Sequence, residues 1–129
     1  MHKRPLAKLL CAVAVAIGLS ASLTTLTAAP LKVGYVASFP IPEVIRDINA
    51  IQLILNKYNP GTEIKVVWIN SWFDPGKEAD ATNALIDQGV DLVFKHTDNP
   101  APIQAAERRG LYAVGYASDM AHFGPKAAM

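Results

Sequence analysis

The sequence predicts an α/β fold: a parallel sheet with helices on both faces. Three observations carry this reading. Four short apolar, partly β-branched runs recur along residues 31–117. Stretches with helical spacing separate them, and every connection is long enough to hold a helix. The resulting order, βαβαβαβ, implies parallel strands joined by right-handed crossovers.

"LKVGYVAS" (31–38) is a buried strand by its Val-rich run and its small-residue ending. "FPIPE" follows as a loop with two prolines. Over 43–58, Val44, Ile45, Ile48, Ile51, Leu53, Ile54 and Leu55 recur mostly at three- and four-residue spacing between polar residues, which predicts an amphipathic helix. "NPGTE" (59–63) stops it. "IKVVWIN" (64–70) is the second strand. In "SWFDPGKEADATNALIDQG", Asp74 is the expected N-cap, Pro75 lies in the first turn and Gly89 is the stop. "VDLVFK" (90–95) is the third strand, "HTDNPAP" a loop, "IQAAERRG" a short helix ending at Gly110, and "LYAVGYA" (111–117) the fourth strand. "SDMAHFGPKAAM" is a tail or the beginning of another element.

Residues 1–29 read differently. Lys3, Arg4 and Lys8 form a basic head, "LLCAVAVAIGLSASL" an apolar run and "TTLTAAP" a small-residue zone. This is the organisation of a secretory signal peptide cleaved near Ala28 or Ala29. The run is short for a membrane span of about 20 residues. Cys11 follows Leu9-Leu10 rather than a small residue, which argues against lipid anchoring and makes it a passive apolar residue. Residues 30–129 then form one small domain without cysteine. With the three leader cations set aside, nine basic residues face eleven acidic ones, near −2. Without a basic patch, nucleic acid and anionic membrane are poor partners.

In a parallel sheet all strand-to-helix loops share one edge, where open α/β sheets bind ligands. Here those loops are "SFPIP", "NSWFDP", "HTDNP" and "SDM". They bring Ser38, Phe39, Trp72, Phe73, His96, Thr97, Asp98, Ser118 and Asp119 to one rim, whereas the opposite loops hold ordinary turns and charges. Aromatic faces stack on π-systems, and carboxylates accept from ring N–H groups or sugar hydroxyls, so the rim suits a small planar polar ligand. Trp72 or Phe73 also reads as a cover over the end of the core. Asp74 reads as a helix cap first, and Asp98 as either a cap or a ligand acceptor. His96, Asp98, Asp119 and His122 lack the spacing of a metal site. There is no G-x-S-x-G elbow, no nucleophile with an identifiable base and no Gly-rich phosphate loop, so neither cofactor nor enzyme chemistry is expected.

"VGYVASFPIPEVIRDINA", "VVWINSWFDPGKEADATNALIDQGVDLVFKHTD" and "GLYAVGYASDMAHFGPKA" resemble the basic membrane protein family, substrate-binding proteins of ABC transporters similar to purine nucleoside receptors. The similarity covers essentially all of residues 32–129. It implies an exported, periplasmic receptor of type I periplasmic-binding-protein fold. Two lobes would close on a purine nucleoside or purine base and deliver it to an ABC permease in the inner membrane. Asp119 matches the family position that contacts the ligand's polar or ribose side. Trp72 falls where an aromatic or polar residue reaches into the cleft, and His96 to Asp98 line the same edge. The implied roles are stacking by Trp72, with Phe73 as the alternative, and acceptance by Asp98 and Asp119. His96 and Thr97 would supply secondary polar contacts, with Phe39 on the same rim.

The chain departs from the family in extent: the resemblance implies a first lobe before "KVGYVAS" and more chain after "FGPKA". Residues 30–129 therefore look like one partial lobe. A truncated or internally deleted gene product, or a fragment whose other lobe is separately encoded, would account for that. A reading of another class is a stand-alone α/β interaction or signalling domain, its loop aromatics forming a protein contact surface.

Overall fold

The computed structural model describes residues 29–129; the predicted signal peptide falls almost wholly outside them. The described elements are β1 (Lys32–Ala37), α1 (Pro42–Tyr58), β2 (Glu63–Trp68), α2 (Pro75–Asp87), β3 (Leu92–His96), α3 (Ala101–Arg109) and β4 (Tyr112–Val114), then a 3-10 turn at Ala121–Phe123. Among the described residues, no helix is long and apolar enough to cross a membrane.

The four strands form one parallel sheet in the order β2-β1-β3-β4. The α/β architecture is thus as the alternation implies. β1 is central and its last five residues are all buried, which explains its unbroken apolar run. α2 and α3 cover one face, where Val36, Leu85, Val93, Ile103, Ala106 and Ala113 pack together. Gly34 lets α2 sit close to the sheet, since a Cβ there would lie 3.1 Å from Leu85 Cδ1. α1 covers the other face with Val44, Ile48 and Ile51 against Tyr35, Ala37, Val66 and Phe94. Its apolar positions are more numerous than one buried stripe requires, and Ile45, Leu53 and Ile54 are exposed.

Local chemistry sets the boundaries. Asp74 caps α2 by accepting from the Lys77 amide at 3.0 Å, with Pro75 in the first turn. Gly89 and Gly110, beyond the ends of α2 and α3, both take left-handed backbone (φ 78° and 71°).

The fourth strand is shorter than the sequence suggests, ending at Val114 rather than 117. Ala117 is left-handed (φ 63°) and cannot continue a strand, so Gly115 and Tyr116 belong to the loop. The tail returns to the sheet. Ala113 donates to the Ala127 carbonyl at 2.8 Å and accepts from the Met129 amide at 3.0 Å, forming a short parallel bridge.

Because α1 follows β1 on one face and α3 follows β3 on the other, the connections leaving these adjacent strands part at their C-terminal ends. Ala37 and His96 are register partners there. This is the topological switch point, where an open α/β sheet has its ligand crevice.

Candidate functional site

The four strand-exit loops do converge on the C-terminal edge, and their aromatic side chains form a row. Phe39, after β1, lies 5.5 Å from Trp72, measured between ring centroids. Trp72, after β2, lies 5.8 Å from His96 at the end of β3. His96 lies 4.0 Å from Tyr116, after β4. All three pairs are tilted rather than parallel, with interplanar angles of 33–55°. Each strand contributes one ring to a continuous platform across the switch point.

Exposure separates the members of this row. His96 is 1 % exposed and forms its floor, whereas Trp72 keeps 36 % of its surface open and Phe39 is half-buried. Phe73 is 63 % exposed and makes no ring contact in this row. Adjacent residues point apart, and the loop resolves its two aromatics in that way. Asn70, just before them, is left-handed (φ 53°). With Ala117 it is one of two such non-glycine residues among those described, and both lie in rim loops. Such backbone persists where surrounding contacts hold it, and it concentrates at ligand sites.

Beneath the rim a buried polar network ties two loops together. The Glu78 carboxylate, with no exposed surface, accepts from the Asp74 amide at 3.0 Å, the Thr97 hydroxyl at 2.6 Å and the Asn99 side-chain amide. Thr97 is therefore turned inward with its hydroxyl engaged. Lys95, 3 % exposed, donates its ammonium to the Thr97 carbonyl at 2.6 Å. Burial pushes the Lys95 pKa down, while the charges of Glu78 and Asp98 oppose that shift. The Asp98 amide donates to the Trp72 carbonyl at 2.8 Å, joining the loops again, and the Asp98 side chain is left in solvent. Asn99, not Asp98, accepts from the first amide of α3, that of Ala101, at 2.9 Å, while Pro100 holds the cap position.

On the α1 side, Asp47 Oδ2 lies 3.3 Å from His96 Nε2, close enough for an ion pair but out of line for a hydrogen bond. Both His96 ring nitrogens and Ser38 Oγ are buried without a hydrogen-bond partner. A groove of about 260 Å³ opens here between α1 and the sheet, bordered by Tyr35, Asp47, Phe94, His96 and Tyr116. Burial, then the charges of Asp47 and Tyr116, push the Tyr35 hydroxyl far above its usual range. Partial desolvation, then the carboxylates of Glu43, Asp47 and Asp98, raise Tyr116. Three carboxylates, Glu43, Asp47 and Asp98, thus lie near this end of the row.

Asp119 is exposed on the loop after β4, where Oδ1 accepts from the Ala121 amide at 2.9 Å. The structure thus gathers Phe39, Trp72, His96, Thr97 and Asp98 around one platform. Phe73 stands outward beside it, and Asp119 lies on the adjoining loop. Tyr116, Glu78, Asp47 and Lys95 escaped sequence reasoning. The Gly115 break signalled the first, and an acid four residues after the cap signalled the second. A larger cavity, about 630 Å³, lies at the opposite edge among Ala29, Leu31, Gly89 and Met129. Lys32, Asp91 and Tyr112 also border it, but Asp91 is engaged by the Lys32 amide and no row of rings converges there as at the C-terminal edge. Among the described residues, no three His, Cys, Asp or Glu side chains gather to hold a metal ion.

Residues 17–129 match the family model described as ABC transporter substrate-binding protein PnrA-like. A purine-binding protein of Brucella abortus is 56% identical over 92 residues, covering 71% of this chain and 26% of that protein. A putative ABC transporter glucose-binding protein of Haloferax volcanii is 48% identical over 92 residues, covering 71% and 24%. The solved structure of an ABC transporter solute-binding protein from Conexibacter woesei superposes with a TM-score of 0.62 at 26% identity, covering 67% of this chain and 29% of that one. The chain spans about a quarter of the length of these curated relatives.

Proposed function

The chain belongs to the PnrA-like family of ABC transporter substrate-binding proteins, and from that premise we propose that it captures a purine base or nucleoside at the C-terminal edge of its sheet. Family membership places it among binding proteins rather than enzymes. The observation that carries the ligand class is the aromatic row at the switch point, flanked by carboxylates. Trp72 offers a half-open ring for stacking, with Phe73 as the alternative. Asp98 and Asp119 accept from ring N–H groups or ribose hydroxyls. His96 floors the row from beneath, Phe39 buttresses Trp72, and Thr97, buried with its hydroxyl on Glu78, steadies the loop rather than touching the ligand. The name of the Brucella relative supports a purine.

Export through residues 1–29 would place the protein outside the cytoplasm, in the periplasm, where it hands its ligand to a membrane permease. The other half of the cleft is supplied by polypeptide outside residues 29–129, in the same chain or separately encoded. Lobes that close on a ligand gain affinity by enclosing it. This lobe alone binds weakly.

The Haloferax relative favours a second ligand, a hexose, because aromatic faces and carboxylates also serve sugars. Titration separates the two. In a Trp68→Phe background, Trp72 emission is followed while adenosine, hypoxanthine or glucose is added to the full chain. Saturable quenching by a purine and not by glucose is expected. Saturation by glucose alone overturns the purine assignment. Concentration-dependent self-association with no ligand response favours the interaction-domain reading.

A further inference from the structure

We propose that Glu78 is the positioning residue of the stacking platform: its single carboxylate locks the loop carrying Trp72 to the loop carrying Asp98. The inference deepens the purine-binding reading and rests on it for its consequence in affinity.

Glu78 is fully buried, although acidic side chains are rarely buried unless paired. Helix capping explains only one of its bonds, the one to the amide of the α2 cap residue Asp74. α2 already has the Asp74 cap on the Lys77 amide, and α3 already has Asn99 on the Ala101 amide. What Glu78 adds is a connection between segments about twenty residues apart. One oxygen takes the Asp74 amide and the Asn99 amide group, and the other takes the Thr97 hydroxyl. The Asp98 amide on the Trp72 carbonyl closes the same link from above. Lys95, held on the Thr97 carbonyl, supplies the balancing charge through Thr97 rather than by direct contact. Trp72 and Asp98, the proposed stacking ring and acceptor, are thereby carried as one unit. Such preorganisation lowers the ordering cost of binding.

Three variants of the full chain test this. Glu78→Ala removes the link. Glu78→Gln keeps its geometry: Oε1 still accepts from Asp74 and Asn99, and Nε2 donates to a rotated Thr97 hydroxyl. Val33→Ala, in β1 near the opposite edge, lowers stability without touching the rim. The primary readout is hydrogen exchange at the Asp98 amide, which needs no ligand. Adenosine affinity is the second.

Glu78→Ala should speed Asp98 exchange about tenfold and weaken adenosine binding about tenfold, the scale of losing one strong hydrogen bond. Glu78→Gln should stay within about twofold of the parent in both, and Val33→Ala should leave Asp98 exchange unchanged. If Glu78→Ala does not fold, Thr97→Val removes one bond and should still speed Asp98 exchange about threefold. Parental exchange in Glu78→Ala or Thr97→Val, or equal acceleration by Val33→Ala, overturns the proposal. If no variant or parent binds adenosine, the purine reading fails, and the exchange data still decide the positioning role.

Discussion

Replacing Trp72 with alanine distinguishes a ligand platform from a plug over the core. The side chain is 36 % exposed, so about two-thirds of it is covered, chiefly by Phe39 and His96. An aromatic side chain buries about 150–250 Å² when fully covered. At about 25 cal/mol per Å², the covered share is worth about 2–4 kcal/mol, an upper bound because the unfolded chain is not fully extended. Phe73, at 63 % exposed, contributes about 1–2 kcal/mol on the same basis. Base–aromatic stacking adds about 1–3 kcal/mol per base, or about 5- to 150-fold in affinity. Trp72→Ala should therefore lose both stability and adenosine affinity. Trp72→Phe should recover most of each, and Phe73→Ala should lose less stability than Trp72→Ala and little affinity. Urea denaturation measures the first quantity, and calorimetric titration well below the unfolding midpoint measures the second. If Trp72→Ala binds adenosine within about twofold of the parent while Phe73→Ala does not, Phe73 is the platform. If neither change weakens binding, stacking is refuted.

Other outcomes follow from the same geometry. The Lys77 amide, then side-chain and charge contacts from Lys77, hold the Asp74 carboxyl below its usual range. Its stabilising contribution is present above the unfolded value and lost as pH falls through the folded one. Asp74→Ala should lower the melting temperature near neutrality and flatten the decline below about pH 4. Burial lowers the Lys95 pKa, so the folded protein binds fewer protons there than the unfolded chain. That penalty is relieved as pH rises from the folded value towards the ordinary lysine value near 10.4. The Lys95→Met variant should show a smaller rise in stability than its parent as pH is raised from neutrality towards the ordinary lysine value, read in denaturant melts. Gly124→Ala would set a Cβ 2.9 Å from Ile103 Cγ2 and 3.3 Å from the Ile103 carbonyl. Overpacking of that kind costs about 1–3 kcal/mol, readable by urea denaturation.

Most of the architecture was legible because its causes are local. Apolar runs, helical spacing, the Asp74-Pro75 start and the glycine stops each act within a few residues. The shared binding edge then followed from parallel topology alone. The fourth strand reads too long in sequence because "VGYA" continues an apolar run, and nothing local announces the left-handed turn at Ala117. Site chemistry was less legible because it depends on side-chain direction and distant partners. His96 and Thr97 read as exposed polar loop residues, yet one floors the aromatic row and the other is engaged by Glu78. Lys95 and Glu78 resemble surface charges in sequence. Only the approach of α2 to the loop after β3 reveals that both are buried and share Thr97. Ile45, Leu53 and Ile54 fit the helical spacing of α1, but the sheet covers only part of that helix.

The central claim is that a purine lodges on the aromatic row at the C-terminal edge of this sheet. Residue-resolved amide and side-chain NMR shifts, recorded while adenosine is titrated into the full chain, test it most directly. Saturable shifts should concentrate at Phe39, Trp72, Asp98, Tyr116 and Asp119, with Gly61, Gly89 and Gly110 at the opposite edge unmoved. Shifts centred on Leu31, Gly89 and Met129, or none that saturate, would contradict the account.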